Sequence, residues 1–182
     1  MSKLALKSFV AALLVTTPIA GAHAKASDTI KKEVAAGVDA RAKLVQEMVD
    51  SVFSFQEPGF QEFQTMEYLT AILAKNGFKI EKGVAGIPTA WTATWSNGEG
   101  PVVALGSDVD GLLGLSQVPG VPQIKPIVPG APGHGEGHNA GMPLIIAAAL
   151  ATKDVMTKHN IKGKLMLWPG VAEELLATKA YY

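Results

Sequence analysis

Residues 130–141 read GAPGHGEGHNAG and place His134, Glu136 and His138 among closely spaced glycines. Glycine lets the backbone curl, so that Glu136 and His138, one residue apart, can face a common point. A carboxylate and an imidazole together make a borderline-hard donor pair suited to Zn²⁺, Mn²⁺ or Co²⁺. An apolar helix follows His138, and its positive end keeps the ring neutral, as a metal ligand must be. The loop also reads as a flexible glycine segment with solvated polar residues. A phosphate-binding loop fits it worse, because His138 stands where the dinucleotide fingerprint needs glycine and Glu136 brings negative charge to the phosphates.

Two further acidic pairs carry chemistry. Glu173 and Glu174 are adjacent carboxylates, which repel unless one is neutralised or metal-bound. With a metal present, one binds the ion while the other takes a proton from activated water. The pair also reads as an acidic first helical turn, which the helix dipole favours. Asp108 and Asp110 lie two apart and share a face in extended chain. One of them can ligate a metal or orient a histidine ligand, and both also suit a strand-end turn. His134 shapes the loop or meets substrate, and His159 falls in a polar, solvent-facing helix end.

Composition narrows the classes. The 182 residues are 48% hydrophobic and 18% charged, with zero formal net charge. That suits one globular domain and argues against nucleic-acid binding through a basic face. Cysteine is absent, which excludes disulfides, thiolate metal sites and a cysteine nucleophile. Lys3 and Lys7, the apolar residues 9–20, and Ala22 and Ala24 spaced for signal peptidase read as an export signal over residues 1–24. The apolar run is too short for a stable membrane span. The mature chain, residues 25–182, is expected in the periplasm or outside the cell, with no membrane contact after cleavage.

These side chains need elements to position them. Ser27-Asp28 offers an N-cap, and Val34, Val38, Ala42, Val45, Met48 and Val52 form one stripe on a long amphipathic helix, with Arg41 as an exception inside it. A second helix is expected over residues 62–76, with Gly77 at its C′ position. Residues 78–84 and 89–96 read as strands. Asn97-Gly98 signals a tight turn into an apolar strand at 102–105, so the last two look like a hairpin whose second member is buried on both faces. The Asp108–Asp110 segment then leaves the carboxyl end of that strand, where α/β sheets place their chemistry. After a Pro/Gly-rich loop comes an apolar helix over residues 142–156, with Pro143 in its first turn and residues 144–150 buried all round. Residues 164–168 form a strand broken by Pro169-Gly170, and a helix begins at residue 175. Met142 and Met156 are expected in the core, and Trp91, Trp95 and Trp168 in strand packing. The order predicts an α/β fold with a mixed sheet flanked by helices.

Four motifs in this order resemble a known family. They are Glu57-Pro58-Gly59-Phe60 with Glu62, SDVDGLLGLSQ over residues 107–117, PGHGEGHNAG over 132–141 and PGVAEE over 169–174. The family is that of the metallopeptidases and amidohydrolases, including aminoacylases and glutamate carboxypeptidase, and the chain looks nearest to its p-aminobenzoyl-glutamate hydrolase branch. The resemblance implies a catalytic domain holding one or two divalent metals, Zn or Mn and in some cases Co. It implies Glu173 as general base, Glu174, Glu136 and His138 as metal ligands, and Asp110 in support of the centre, with Asp108 and His134 as further candidates at the metal or behind it. The substrate it implies is a small amide or peptide, N-acyl or aminoacyl at an amino acid.

Three departures from the family pattern stand out. Glu136 occupies a position that is commonly cysteine in this branch, which hardens the site toward Mn²⁺. Asp108 stands where other branches carry histidine. The family's chain is longer, with a lid and dimerisation domain and further histidine ligands. The expectation is therefore an N-terminal part of a zinc-peptidase-like catalytic domain from a homodimeric parent enzyme, inactive by itself. A periplasmic binding or interaction protein that keeps the fold without the catalysis is the alternative that Asp108 and Glu136 leave open.

Overall fold

The computed structural model describes residues 26–175 and 178–181. The export signal expected over residues 1–24 lies outside them. Among the described residues the elements run α1 (Asp28–Asp39), α2 (Ala42–Phe55), α3 (Phe63–Lys75), β1 (Lys79–Lys82), β2 (Trp91–Ser96), β3 (Val102–Asp108), α4 (His138–Lys158) and β4 (Lys164–Gly170). Short 3-10 turns follow at Glu173–Leu175 and Thr178–Tyr181, where a helix over the last residues was expected.

Ser27 caps α1, its hydroxyl accepting from the Ile30 N–H at 3.3 Å. The long first helix of the sequence reading is two helices. The chain turns at Ala40 and Arg41, and Arg41 sits at the joint. Its guanidinium donates to Gly37 O at 2.6 Å and to Asp154 at 2.5 Å, tying the joint to α4. Gly37 makes the close approach possible, since a Cβ there would lie 3.0 Å from the Ala151 methyl. Gly77, with φ +83, takes the left-handed position after α3 as its sequence position implies.

The four strands form one mixed sheet in the order β1-β2-β4-β3. β4 lies between β2, which it pairs antiparallel, and β3, which it pairs parallel. The β2–β3 hairpin expected from Asn97-Gly98 is therefore absent. Asn97 serves a different purpose. Its side-chain amide donates to Met156 O and Ile161 O, holding the loop between α4 and β4. Among the described residues β3 lies at the edge of the sheet, and it is not buried on both faces, since Val102 and Val103 are 57% and 50% exposed. β4 runs two residues past its expected end, through Pro169 and Gly170. β2 stops pairing at Leu167, so Pro169 forfeits no bond on that side.

The core joins α2 (Met48, Val52), α3 (Leu69, Leu73), β2 (Trp91, Ala93), α4 (Met142, Ile146) and β4 (Leu165, Leu167). Met142 and Met156 are both buried, as expected. α4 begins four residues earlier than its apolar run, so Pro143 sits in its second turn. Its middle is not buried all round, because Leu144 is 55% exposed.

Candidate metal centre

The parallel pairing of β3 with β4 builds the site. Asp108 stands opposite Gly170 in register, so both strands end side by side. Asp110 then leaves β3, and Glu173 and Glu174 leave β4, at one end of the sheet. This is the carboxyl edge where α/β folds gather their chemistry. α4 starts at the same edge, with Gly137 (φ +96) as its N-cap and His138 as its first residue. Gly141 lets the helix press against β3, since a Cβ there would lie 2.0 Å from Ser107 Oγ.

One potential ligand atom from each of Glu136, His138, Glu173 and Glu174 falls within 4.8 Å of the others. His138 Nδ1 lies 3.0 Å from the Asp110 carbonyl oxygen. A carbonyl only accepts, so Nδ1 carries the proton and Nε2 keeps its lone pair for a metal. Nε2 faces Glu136 Oε2 at 3.4 Å, and Glu174 Oε1 lies 3.9 Å from Nδ1. Glu136 is exposed, while Glu174 is 16% exposed at its side chain. Burial raises the Glu174 carboxyl above its usual range, and the negative charge of Glu136 adds to it.

Asp110 lies behind the cluster, 1% exposed. Its Oδ2 accepts the Glu174 N–H at 3.0 Å, fixing the backbone of the Glu-Glu pair. Its Oδ1 is buried without a hydrogen-bond partner, 3.5 Å from His138 Nδ1. Three carboxylates around one imidazole, with a buried unpaired carboxylate oxygen at their back, fit a hard or borderline divalent cation.

The first of the four motifs supports the last. Glu57 caps α3, accepting from the N–H groups of Gln64 and Thr65 at 2.8 and 2.9 Å, and its own carbonyl accepts from Gly111. Glu62 is buried and accepts the Ala172 N–H at 2.7 Å. Burial raises its carboxyl above the usual range, against the lowering by the Thr89 hydroxyl and the Ala172 N–H. Ala172 holds φ +48, a conformation that costs energy in a non-glycine residue and persists where its surroundings enforce it. Gly59 lies beneath it, and a Cβ on Gly59 would come 2.8 Å from Ala172 Cα. Gly59 and Glu62 thus hold the turn that delivers Glu173 and Glu174, while Glu57 fastens the start of α3 and the backbone at Gly111.

Two candidates stand apart from the four donors. His134 Nε2 donates to Val52 O at 3.1 Å, and the ring packs 6.4 Å from Phe53, so it anchors the loop to α2. Burial lowers its affinity for a second proton. Asp108 is paired with Lys179, which donates to Oδ2 at 2.9 Å and lies 2.7 Å from Oδ1. Reasoning from sequence passed over Lys179. Its only signal there was a cation five residues after Glu174, in a stretch read as helix. His159, expected to face solvent, pairs with Glu33 at 2.8 Å. A cleft of about 310 Å³ opens beside Glu174, lined by Pro58, Gln61, Gly111, Leu112 and Leu113 among others.

No protein-family model matches the chain. It is 33% identical over 137 residues to one of the subunits of p-aminobenzoyl-glutamate hydrolase from Escherichia coli K12, covering 75% of this chain and 28% of that protein. The chain therefore spans little more than a quarter of that relative's length. Solved structures share the fold. An aminobenzoyl-glutamate utilization protein from Klebsiella pneumoniae aligns over 77% of this chain and 39% of its own, with a TM-score of 0.54 and 16% identity. A dinuclear metal-binding peptidase of the M20 family from Bacillus subtilis aligns over 71% of this chain and 36% of its own, with a TM-score of 0.51 and 20% identity.

Proposed function

From a chain homologous to part of a hydrolase and folded like the M20 metallopeptidases and amidohydrolases, we propose that the protein is a metal-dependent amidohydrolase. The observation that carries the reading is the convergence of Glu136, His138, Glu173 and Glu174 over the buried, unpaired Asp110 Oδ1. Glu136, His138 and Glu174 would hold Zn²⁺, Mn²⁺ or Co²⁺. Carboxylate in place of thiolate at Glu136 favours the harder Mn²⁺. A bound divalent ion supplies Lewis acidity toward the amide carbonyl and lowers the pKa of water.

The rest of the chemistry belongs to the protein. The Asp110 carbonyl fixes the His138 tautomer, and the Asp110 carboxylate fixes the Glu174 backbone. Glu173 is 37% exposed at its side chain and belongs to the four-donor group. In this reading it takes the proton from the attacking water on its carboxylate, then gives it to the leaving amine as the amide C–N bond breaks. The substrate is the amide of an N-acyl or aminoacyl amino acid, of the p-aminobenzoyl-glutamate kind. The relative's activity and the cleft beside Glu174, near the lower end of small-ligand pocket sizes, support this choice.

The activity is proposed for the protein as a whole, acting as an oligomer because the relative is one subunit of its enzyme, and not for these 182 residues by themselves. Export to the periplasm or beyond is proposed on Lys3, Lys7, the apolar residues 9–20 and the Ala22/Ala24 spacing.

The test is hydrolysis of p-aminobenzoyl-glutamate and a panel of N-acyl amino acids by the full-length protein. Glu173→Ala is expected to lower kcat about 10²–10⁴-fold while the protein still binds metal. Unchanged turnover in that variant would refute the mechanism. Metal uptake without hydrolysis of any panel member would favour a binding protein that keeps the fold.

A further inference from the structure

An amide substrate has two halves, and one cleft bears on which of them lies where. Glu174, a member of the four-donor group, forms part of the wall of the cleft of about 310 Å³. Pro58, Gln61, Leu112, Leu113 and Leu175 stand around it.

Backbone contacts tie the cleft to the donors. Pro58 and Gly111 form a parallel bridge, and Leu112 and Gly133 exchange hydrogen bonds at 3.0 and 2.9 Å. Gly111 follows Asp110 directly, and Gly133 leads into Glu136. The two loops lie close, since a Cβ on Gly111 would come 3.1 Å from Gly133 O. On the other wall, a Cβ on Gly59 would come 3.1 Å from Leu175 Cδ1, so Leu175 rests on that turn. Between Gly59 and Gln61, Phe60 holds φ +64, a strained conformation of the kind that gathers at ligand sites. A substrate group in the cleft therefore meets walls fixed relative to the donors.

The lining decides what that group is. Leu113 and Leu175 are 73% and 60% exposed, large apolar side chains held in water until a ligand covers them. Glu174 is the one charged side chain on the wall among the described residues. Glu136, Glu173 and Asp110 stand near it with the same sign. A carboxylate entering the cleft would be repelled, whereas an uncharged group would bury leucine. Gln61 is exposed at the wall and offers a donor and an acceptor to a polar substituent. We propose that this cleft is the acyl-side subsite. It takes the uncharged acyl or aryl group of the amide, Leu113 and Leu175 set the preference, and the carboxylate-bearing amino acid stays outside it. The inference rests on the amidohydrolase reading and deepens it.

The test compares kcat/KM of the full-length protein for p-aminobenzoyl-glutamate and N-acetyl-glutamate, which share a leaving amino acid and differ in the acyl group. The wild type is expected to favour the aryl substrate. Leu113→Ala and Leu175→Ala are each expected to lower that preference about tenfold, chiefly through KM, as lost apolar contact in a pocket does. Leu113→Met should keep it. Ile124→Ala should keep it too, because that side chain is 98% exposed on the same loop and outside the cleft. A preference unmoved in the two leucine-to-alanine variants, or absent from the wild type, would overturn the inference and leave the metal centre standing. So would a change confined to the choice between p-aminobenzoyl-glutamate and p-aminobenzoyl-alanine, since the leaving amino acid would then occupy the cleft. No hydrolysis of either first substrate by the wild type would overturn the amidohydrolase reading as well.

Discussion

Each residue of the centre owes its role to a neighbour that fixes it. Asp110 acts through two such contacts, its carbonyl on His138 and its carboxylate on the Glu174 N–H. Asp110→Ala keeps the main-chain carbonyl on His138 but removes the carboxylate that holds the Glu174 N–H, and is expected to weaken Mn²⁺ binding about 10–100-fold if the proposed centre binds the ion, the usual effect of losing a group that orients metal ligands. Calorimetric titration of the metal-free chain would measure it. Glu62 acts on the turn, and burial raises its carboxyl above the reference value of 4.5. The folded chain then keeps the proton to higher pH than the unfolded chain does. Its contribution to stability thus rises as pH falls from the folded pKa toward 4.5. Glu62→Gln imitates the protonated form, so its urea midpoint at pH 7 should equal or exceed the wild type's and vary less between pH 7 and 4.5. Glu62→Ala leaves the Ala172 N–H without its partner and is expected to cost about 1–3 kcal/mol. At this scale the sequence was most readable where function packs chemistry into short motifs. Glu136, His138, Glu173, Glu174 and Asp110 could all be picked out as candidates, and the fold brings the first four within reach of one another with Asp110 behind them. Lys179 could not, because its partner Asp108 lies 71 positions away and a lone lysine carries no local pattern.

Elements were readable in kind and less so in partnership. Periodicity located α3 and α4, because burial of one face repeats along a helix. It missed the joint at Ala40–Arg41, which depends on where α4 passes. It also started α4 late, because Gly137, Gly141 and the polar residues between them hide a helical turn that is held by contact with β3. The hairpin expectation failed for a related reason. Asn-Gly reports local backbone freedom, whereas the neighbour of β2 is chosen by a strand about 70 residues further on, which pairs with it from Ala93↔Leu167 to Ser96↔Lys164. The contact of α4 with β3 can be tested directly. Gly141→Ala sets a methyl against Ser107 Oγ and should destabilise the fold by about 1–3 kcal/mol, as overpacking does. Ser107→Gly in the same chain removes the obstructing side chain and should restore part of that loss. Urea unfolding of the two single variants and the double variant would measure the coupling.

For the whole molecule, the proposed centre, drawn from β3, β4, α4 and the loop before α4, would link metal occupancy to folding. An ion that binds only the folded chain adds about 2.7 kcal/mol of stability at a hundredfold excess over its Kd. Tm should therefore rise with added Mn²⁺ and return with chelator, and the Glu136→Ala/His138→Ala double variant should show no such rise. The mixed sheet itself was foreseeable, since a strand–loop–helix–strand run demands a parallel pair and the earlier strands supply the antiparallel one. Its strand order was not, and that order has a practical outcome. Among the described residues β3 lies at the end of the sheet with β4 as its one strand neighbour, and Val102 and Val103 are largely exposed. A bare, β-branched edge of this sort is a template on which another copy can add a strand. Purified chain should self-associate as concentration rises, and Val103→Lys should suppress light scattering without lowering Tm. Handling this protein at high concentration therefore turns on a surface remote from its chemistry.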